Sequence, residues 1–194
     1  MTGFQGQLAH KLVVGLEGSW PTAQEWTWLK HWQPYGVILF SRNVENFPQL
    51  QQLCSVLRRA VPPLKIMADH EGGPVSQMAA AVGRPPVAYR LGELDDVNLT
   101  RRVHAETGRR LKAAGLDWVL APCADVLSEP RNPVIGSRSF GCDAQLVARH
   151  VEAAVQGFGE AGLSCCLKHW PGHGGSDTDS HLESAAVEIA AGDE

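Results

Sequence analysis

Gly36-Val37-Ile38-Leu39-Phe40-Ser41-Arg42-Asn43 is an apolar run that stops abruptly at three hydrogen-bonding residues. It has no alternating polar positions, so it suits a strand buried on both faces rather than one. A helix signal follows directly. Asn46 stands as an N-cap with Pro48 just inside, and Leu50, Leu53, Val56 and Leu57 recur at helical spacing. Leu64-Lys65-Ile66-Met67-Ala68 is then a second apolar run, ending at Asp69-His70-Glu71-Gly72-Gly73. Two buried strands separated by one amphipathic helix predict a parallel pair with a crossover between them.

The same unit repeats in both directions. Upstream, Leu12-Val13-Val14-Gly15-Leu16 is a strand broken by Glu17-Gly18. Pro21 opens a helix to about Trp32, with Trp26, Trp28 and Leu29 turned inward. Downstream, a less regular stretch with Pro85 and Pro86 precedes a helix from Val97 to Ala114, closed by Gly115. Asp117 to Ala121 is the fourth strand, and a long loop runs from Pro122 to Cys142. A helix from about Ala144 to Ala161, with Gly162 as its cap, leads to the fifth strand, Leu163 to Leu167. Each strand is followed by a polar group: Glu17, Arg42, Asp69, Asp125, and Lys168 with His169. In parallel α/β folds these carboxyl ends share one edge, where ligands bind. Periodicity does not separate an open doubly wound sheet from a closed barrel. Five strands fit the former, whereas a (β/α)8 barrel of ~250 residues would be unfinished at this length.

The chain has 194 residues, 44% hydrophobic and 20% charged, which predicts one globular domain over residues 1–194. A net charge of -4 gives no general attraction to nucleic acid or to an anionic membrane. The cysteines are Cys54, Cys123, Cys142, Cys165 and Cys166, an odd number without metal-type spacing. Adjacent Cys165 and Cys166 are expected as small buried residues on opposite strand faces. Reduced thiols, no apolar leader in Met1 to His10 and no run of membrane-spanning length predict a soluble cytoplasmic protein.

The chemistry concentrates in Lys168-His169-Trp170-Pro171-Gly172-His173-Gly174-Gly175-Ser176-Asp177-Thr178-Asp179-Ser180-His181. Its glycines and proline make it a shaped loop, and its titratable groups need water, a ligand or one another. Asp179 and His181, two apart, point to one side of an extended chain, so the carboxylate can hold the imidazole as an acid or base. His169, His173, Asp177 and His181 are also ligand types that suit zinc. Their irregular spacing and the neighbouring Lys168 ammonium argue against a metal, and no cofactor is expected. Asp69 and Glu71, before Gly72-Gly73, can bind sugar hydroxyls, bind a metal or cap a helix. Arg138, within Val134-Ile135-Gly136-Ser137-Arg138-Ser139-Phe140, can grip an anion or a polyol. Gly172-His173-Gly174-Gly175 lacks the residues that complete a phosphate loop.

Taken in order, Asp69-His70-Glu71-Gly72-Gly73, Val134 to Phe140, Lys168 to Gly174, and Asp179-Ser180-His181 resemble the motif set of glycoside hydrolase family 3. The likeness is to its bacterial β-N-acetylglucosaminidases; Gly36 to Asn43 is similar to that family's second strand. The resemblance spans about Leu12 to His181. It implies a (β/α)8 TIM-barrel type of α/β fold, truncated after about five β/α units. It implies retaining hydrolysis of terminal β-linked N-acetylglucosamine, as in peptidoglycan recycling. It also implies roles: Asp69, Arg138, Lys168 and His169 as holders of the sugar, and His181, oriented by Asp179, as acid/base. Two departures stand out. Pro74 occupies a place where the family usually has arginine, which removes a cation from the rim. The family's nucleophilic aspartate lies on a later strand, and Asp193 is too close to the dyad to replace it, so a C-terminal segment completing the barrel is an expected partner. A non-catalytic sugar-binding remnant and a metal-dependent hydrolase are the alternative readings.

Overall fold

A computed structural model describes residues 8–176. Five parallel strands form the main sheet: β1 (Val13–Gly15), β2 (Gly36–Leu39), β3 (Lys65–Ala68), β6 (Trp118–Val119) and β7 (Ser164–Cys165). Their order across the sheet is β1-β2-β3-β6-β7. A doubly wound sheet reverses direction at a switch point and so places its first strand inside. Here β1 stands at one edge and every later strand adds on the same side, which is the single winding of a barrel. Order, not periodicity, decides between the two architectures. Five of the strands of a (β/α)8 arrangement lie within the described residues.

The crossovers are α1 (Ala23–Trp32), α2 (Phe47–Ala60), α5 (Val97–Ala114) and α6 (Ala144–Glu160). Their ends carry the signals the sequence announces. The Asn46 side chain accepts from the Gln49 N–H at 2.9 Å, and Asp96 from Leu99 at 3.0 Å. Gly115 sits at φ 103°, a conformation that closes α5 at no steric cost. The main core packs Leu50, Leu53, Leu57 and Leu111 against Val37, Leu39, Ile66 and Val119 of the sheet. Helices α5 and α6 cross closely because two glycines meet there. A methyl on Gly157 would lie 2.4 Å from the Arg101 carbonyl, and one on Gly108 2.7 Å from Ala161.

Three expectations are corrected. Trp28 is exposed on α1, where Leu29 alone is fully buried. Cys166 is exposed and Cys165 only partly covered, because β7 has β6 as its one neighbour among the described residues. The irregular stretch after Ala68 is ordered: β4 (His70–Gly72) pairs antiparallel with β5 (Val75–Ser76), and short helices α3 (Ala79–Val82) and α4 (Ala88–Leu94) follow. Gly72 and Gly73 make this possible at φ 112° and 52°, with the Pro86 carbonyl 2.3 Å from where a Gly72 methyl would be. No helix among the described residues is long and apolar enough to cross a membrane.

His70 and His104 are among the histidines sealed inside. His104 donates from Nδ1 to the Thr100 carbonyl at 2.7 Å and meets Phe158 edge-on at 5.1 Å. Burial pushes it from 6.5 down to about 4. Burial likewise pushes His70 down to about 4, against a smaller upward pull from the Gly83 backbone. Between those values the unfolded chain holds a proton that the folded chain refuses, so stability falls as pH drops from 6.5 toward 4. Each histidine can account for on the order of 3 kcal/mol of that loss. Replacing His104 by leucine is expected to flatten the decline by about half, read from urea midpoints at neutral and mildly acidic pH.

Candidate active site

The strand ends converge at one edge. The end of β3 supplies Asp69 and β4 supplies Glu71, while the loop after β6 gives Asp125 and, from its 3-10 turn Gly136–Arg138, Arg138. The segment after β7 brings Lys168, His169 and His173. It is tied to the loop after β6 by a parallel bridge between Cys123 and Lys168, with the Ala124 N–H donating to the Lys168 carbonyl at 2.6 Å.

Glu71 is the electrostatic centre, with a side chain only 4% exposed. Arg138 donates to it through Nε and Nη2 at 2.8 and 2.9 Å, a two-pronged pair. The Lys168 ammonium bridges Glu71 and Asp69. Burial would raise the Glu71 carboxyl, but the Arg138 guanidinium and the Lys168 ammonium outweigh it and hold the group below its ordinary range.

Asp125 is the organising centre, and its side chain is fully buried. One oxygen accepts from the His173 N–H at 2.5 Å. The other accepts from the His169 N–H at 3.1 Å and from His169 Nδ1 at 2.6 Å. Burial raises its carboxyl, yet these donors dominate and bring it down to about 2. The network also assigns the tautomer of His169. Arg138 Nη2 lies 3.1 Å from Nε2, and a guanidinium only donates, so Nε2 accepts and the proton sits on Nδ1. The loop continues in the same manner, with Asn132 Nδ2 donating to the His173 carbonyl at 2.7 Å. Gly174 then passes so close to Val126 that a methyl there would fall 1.7 Å from its carbonyl oxygen.

Cys123, Asp125 and His169 bring ligand-type atoms within 4.8 Å of one another. These groups do not fit a cation. Asp125 is already occupied by N–H donors, burial and the Asp125 carboxylate push the Cys123 thiol up to about 12, and two cationic side chains stand nearby. Of the quartet weighed from sequence, His169 and His173 lie 6.3 Å apart by ring centres, and Asp177 and His181 lie outside the described residues. So does Asp179, and with it the acid/base pair.

A model described as the glycosyl hydrolase family 3 N terminal domain matches residues 6–193. The chain belongs to glycosyl hydrolase family 3. A beta-hexosaminidase from Pseudomonas aeruginosa is 33% identical over 172 residues, which cover 88% of this chain and 52% of that protein. One from Stenotrophomonas maltophilia is 35% identical, covering 90% and 53%. Among solved structures, a family 3 beta-N-acetylglucosaminidase from Paenibacillus superposes with a TM-score of 0.89 at 32% identity, covering 93% of this chain and 35% of that one. NagZ from Neisseria gonorrhoeae, in complex with N-trifluoroacetyl-D-glucosamine, gives 0.84 at 32%, covering 90% and 53%. The chain spans about half the length of the curated relatives it matches.

Family 3 membership bears out the resemblance read from the motifs, and the barrel-type α/β fold with it. The four residues named as sugar holders, Asp69, Arg138, Lys168 and His169, do come together. Arg138 and Lys168 spend their donors on Glu71 and Asp69 here, so the rim is pre-assembled by its own ion pairs. Asp125 was legible only as one of six polar strand-end residues, and its part in fixing the His169–His173 loop was missed. Replacing it with asparagine keeps the shape but puts an N–H₂ group where an acceptor is needed, facing either His173 or His169. A loss of about 1–3 kcal/mol of stability is expected, measured by chemical denaturation.

Proposed function

We propose that this family 3 chain carries the sugar-holding and acid/base part of a β-N-acetylglucosaminidase site. The reaction is retaining hydrolysis of terminal β-linked N-acetylglucosamine from glycans such as peptidoglycan fragments, in the cytoplasm. Residues 1–194 act as one domain, the N-terminal portion of the barrel. The observation that carries this reading is the convergence of Asp69, Glu71, Arg138, Lys168 and His169 at the carboxyl ends of parallel strands. Carboxylates and N–H donors fixed side by side match the alternating hydroxyls of a pyranose, each of which donates and accepts. The similarity to beta-hexosaminidases, and to a NagZ that binds an N-acylglucosamine, supports the same substrate class.

In this reading Asp69, Arg138, Lys168 and His169 hold the terminal sugar. Protonated His181, steadied by Asp179, protonates the departing oxygen and then takes a proton from water. The nucleophilic aspartate comes from a further segment that completes the barrel. Calorimetry with N-acetylglucosamine tests the recognition half. Saturable binding is expected, weakened about tenfold or more in Asp69→Ala, because a charge-assisted bond to a hydroxyl is lost. No heat from a folded sample would remove the proposal.

A further inference from the structure

Neighbouring residues on β4 face opposite ways. Glu71 turns to Arg138 and Lys168, whereas His70 lines a separate cavity of about 350 Å³ between the α3–α4 loop and α5. Its wall holds three arginines, Arg84, Arg102 and Arg110, with a floor of Val82, Pro85, Pro86 and Val103. One acid, Glu106, lines it, and that carboxylate is already shared by Arg109 and Arg110. Arg84 and Arg102 have no ion pair or hydrogen bond among the described residues.

His70 closes one side of the cavity. It is 1% exposed. Its Nδ1 accepts from the Met78 N–H at 3.3 Å, so the ring proton sits on Nε2. Nε2 is buried, and the Gly83 backbone stands near enough to favour the protonated ring. The ring packs against a cavity whose free charges are positive.

We propose that this cavity is a second, non-catalytic site for a phosphate-bearing small molecule. Arg84 and Arg102 pair with the phosphate oxygens, the His70 ring packs behind them, and the proline and valine floor receives the organic part. The cavity exceeds what a bare phosphate fills, which favours an ester over the free ion. Because His70 is flanked by Asp69 and Glu71, occupancy is felt at the sugar-holding edge through one strand.

The test is titration of the protein with inorganic phosphate, with a hexose 6-phosphate and with acetate as a carboxylate control. Calorimetry and the NMR signals of the His70 ring are the readouts. One saturable site is expected for both phosphates at concentrations up to about 10 mM, tighter for the ester, with a shift of the His70 signals. The double variant Arg84→Gln/Arg102→Gln should bind about tenfold or more weakly at an unchanged melting temperature, since both side chains are exposed. Absence of saturable binding, affinity untouched by the double variant, or displacement of phosphate by N-acetylglucosamine would each overturn the proposal. The last would place the anion at the sugar edge instead.

Discussion

Glu71→Ala is expected to lower the free energy of unfolding by about 3 to 5 kcal/mol. The Arg138 and Glu71 side chains are 12% and 4% exposed, so the pair is held largely out of water. Removing the carboxylate leaves a guanidinium whose two donors at 2.8 and 2.9 Å have no acceptor. The Lys168 ammonium, also paired with Glu71, falls back on Asp69 alone. Two cations then face one acid across a dry interval. Asp69 retains part of the pairing, which places the loss at the low end of the range. Glu71→Gln keeps the volume and one acceptor and should fall between the wild type and alanine. The sign with pH follows from the lowered carboxyl. Its stabilisation is complete above the ordinary value of 4.5 and fades as pH falls below it, so the mutational difference should shrink in acid. Urea denaturation at pH values on both sides of that point measures it. A difference near zero at neutral pH would mean that solvent already screens the pair.

The second large effect concerns His181. In a polypeptide that includes this chain and turns over an N-acetyl-β-glucosaminide, His181→Ala should reduce kcat about 10²- to 10⁴-fold. General acid help matters most where the departing group is a poor one. The loss should therefore be greater for an alkyl or sugar aglycone than for a nitrophenyl one, whose oxygen scarcely needs a proton. Asp179→Asn should cost less than His181→Ala, because it leaves the imidazole present but wrongly biased between its tautomers. It should also move the basic limb of the pH–rate profile to lower pH, since a general acid must be protonated to act and a carboxylate neighbour favours the imidazolium. Equal losses for good and poor leaving groups would argue that His181 positions rather than donates. The 194-residue chain alone is expected to bind sugar without turnover, since retaining chemistry needs a second carboxylate across the ring.

Much of the fold was legible because its strands are apolar on both faces and its caps are local. Asn46, Pro48 and Gly115 announce helix ends through their own backbone chemistry, and the structure places those ends where they say. The choice between open sheet and barrel was not legible in periodicity, which reports how a strand is buried and not which strand lies beside it. The β4–β5 hairpin was hidden for a different reason. His70-Glu71-Gly72-Gly73-Pro74-Val75-Ser76 is polar and glycine-rich yet largely buried, and its order comes from Pro85 and Pro86 folding back over the glycines. Cys166 shows the converse, a residue whose local pattern reads as buried but which no strand among the described residues covers. In the site, residue types pointed to Asp69 and Arg138, and the family resemblance added Lys168 and His169. Asp125 could not be ranked, because between Ala124 and Val126 nothing local marks a carboxylate that will collect three N–H donors from a segment 44 and 48 residues away.

The ion pair between Lys168 and Asp69 joins positions 99 apart, and that between Arg138 and Glu71 joins positions 67 apart. The first cannot exist until the fifth strand has docked beside the fourth, the second not until the fourth has docked beside the third, and closing such long segments is entropically slow. Affinity for the sugar should thus emerge last during refolding, after the helices have gained their circular dichroism. A labelled amino sugar added at intervals would serve as a clock for that final step, and nascent chains shorter than 168 residues should never register on it.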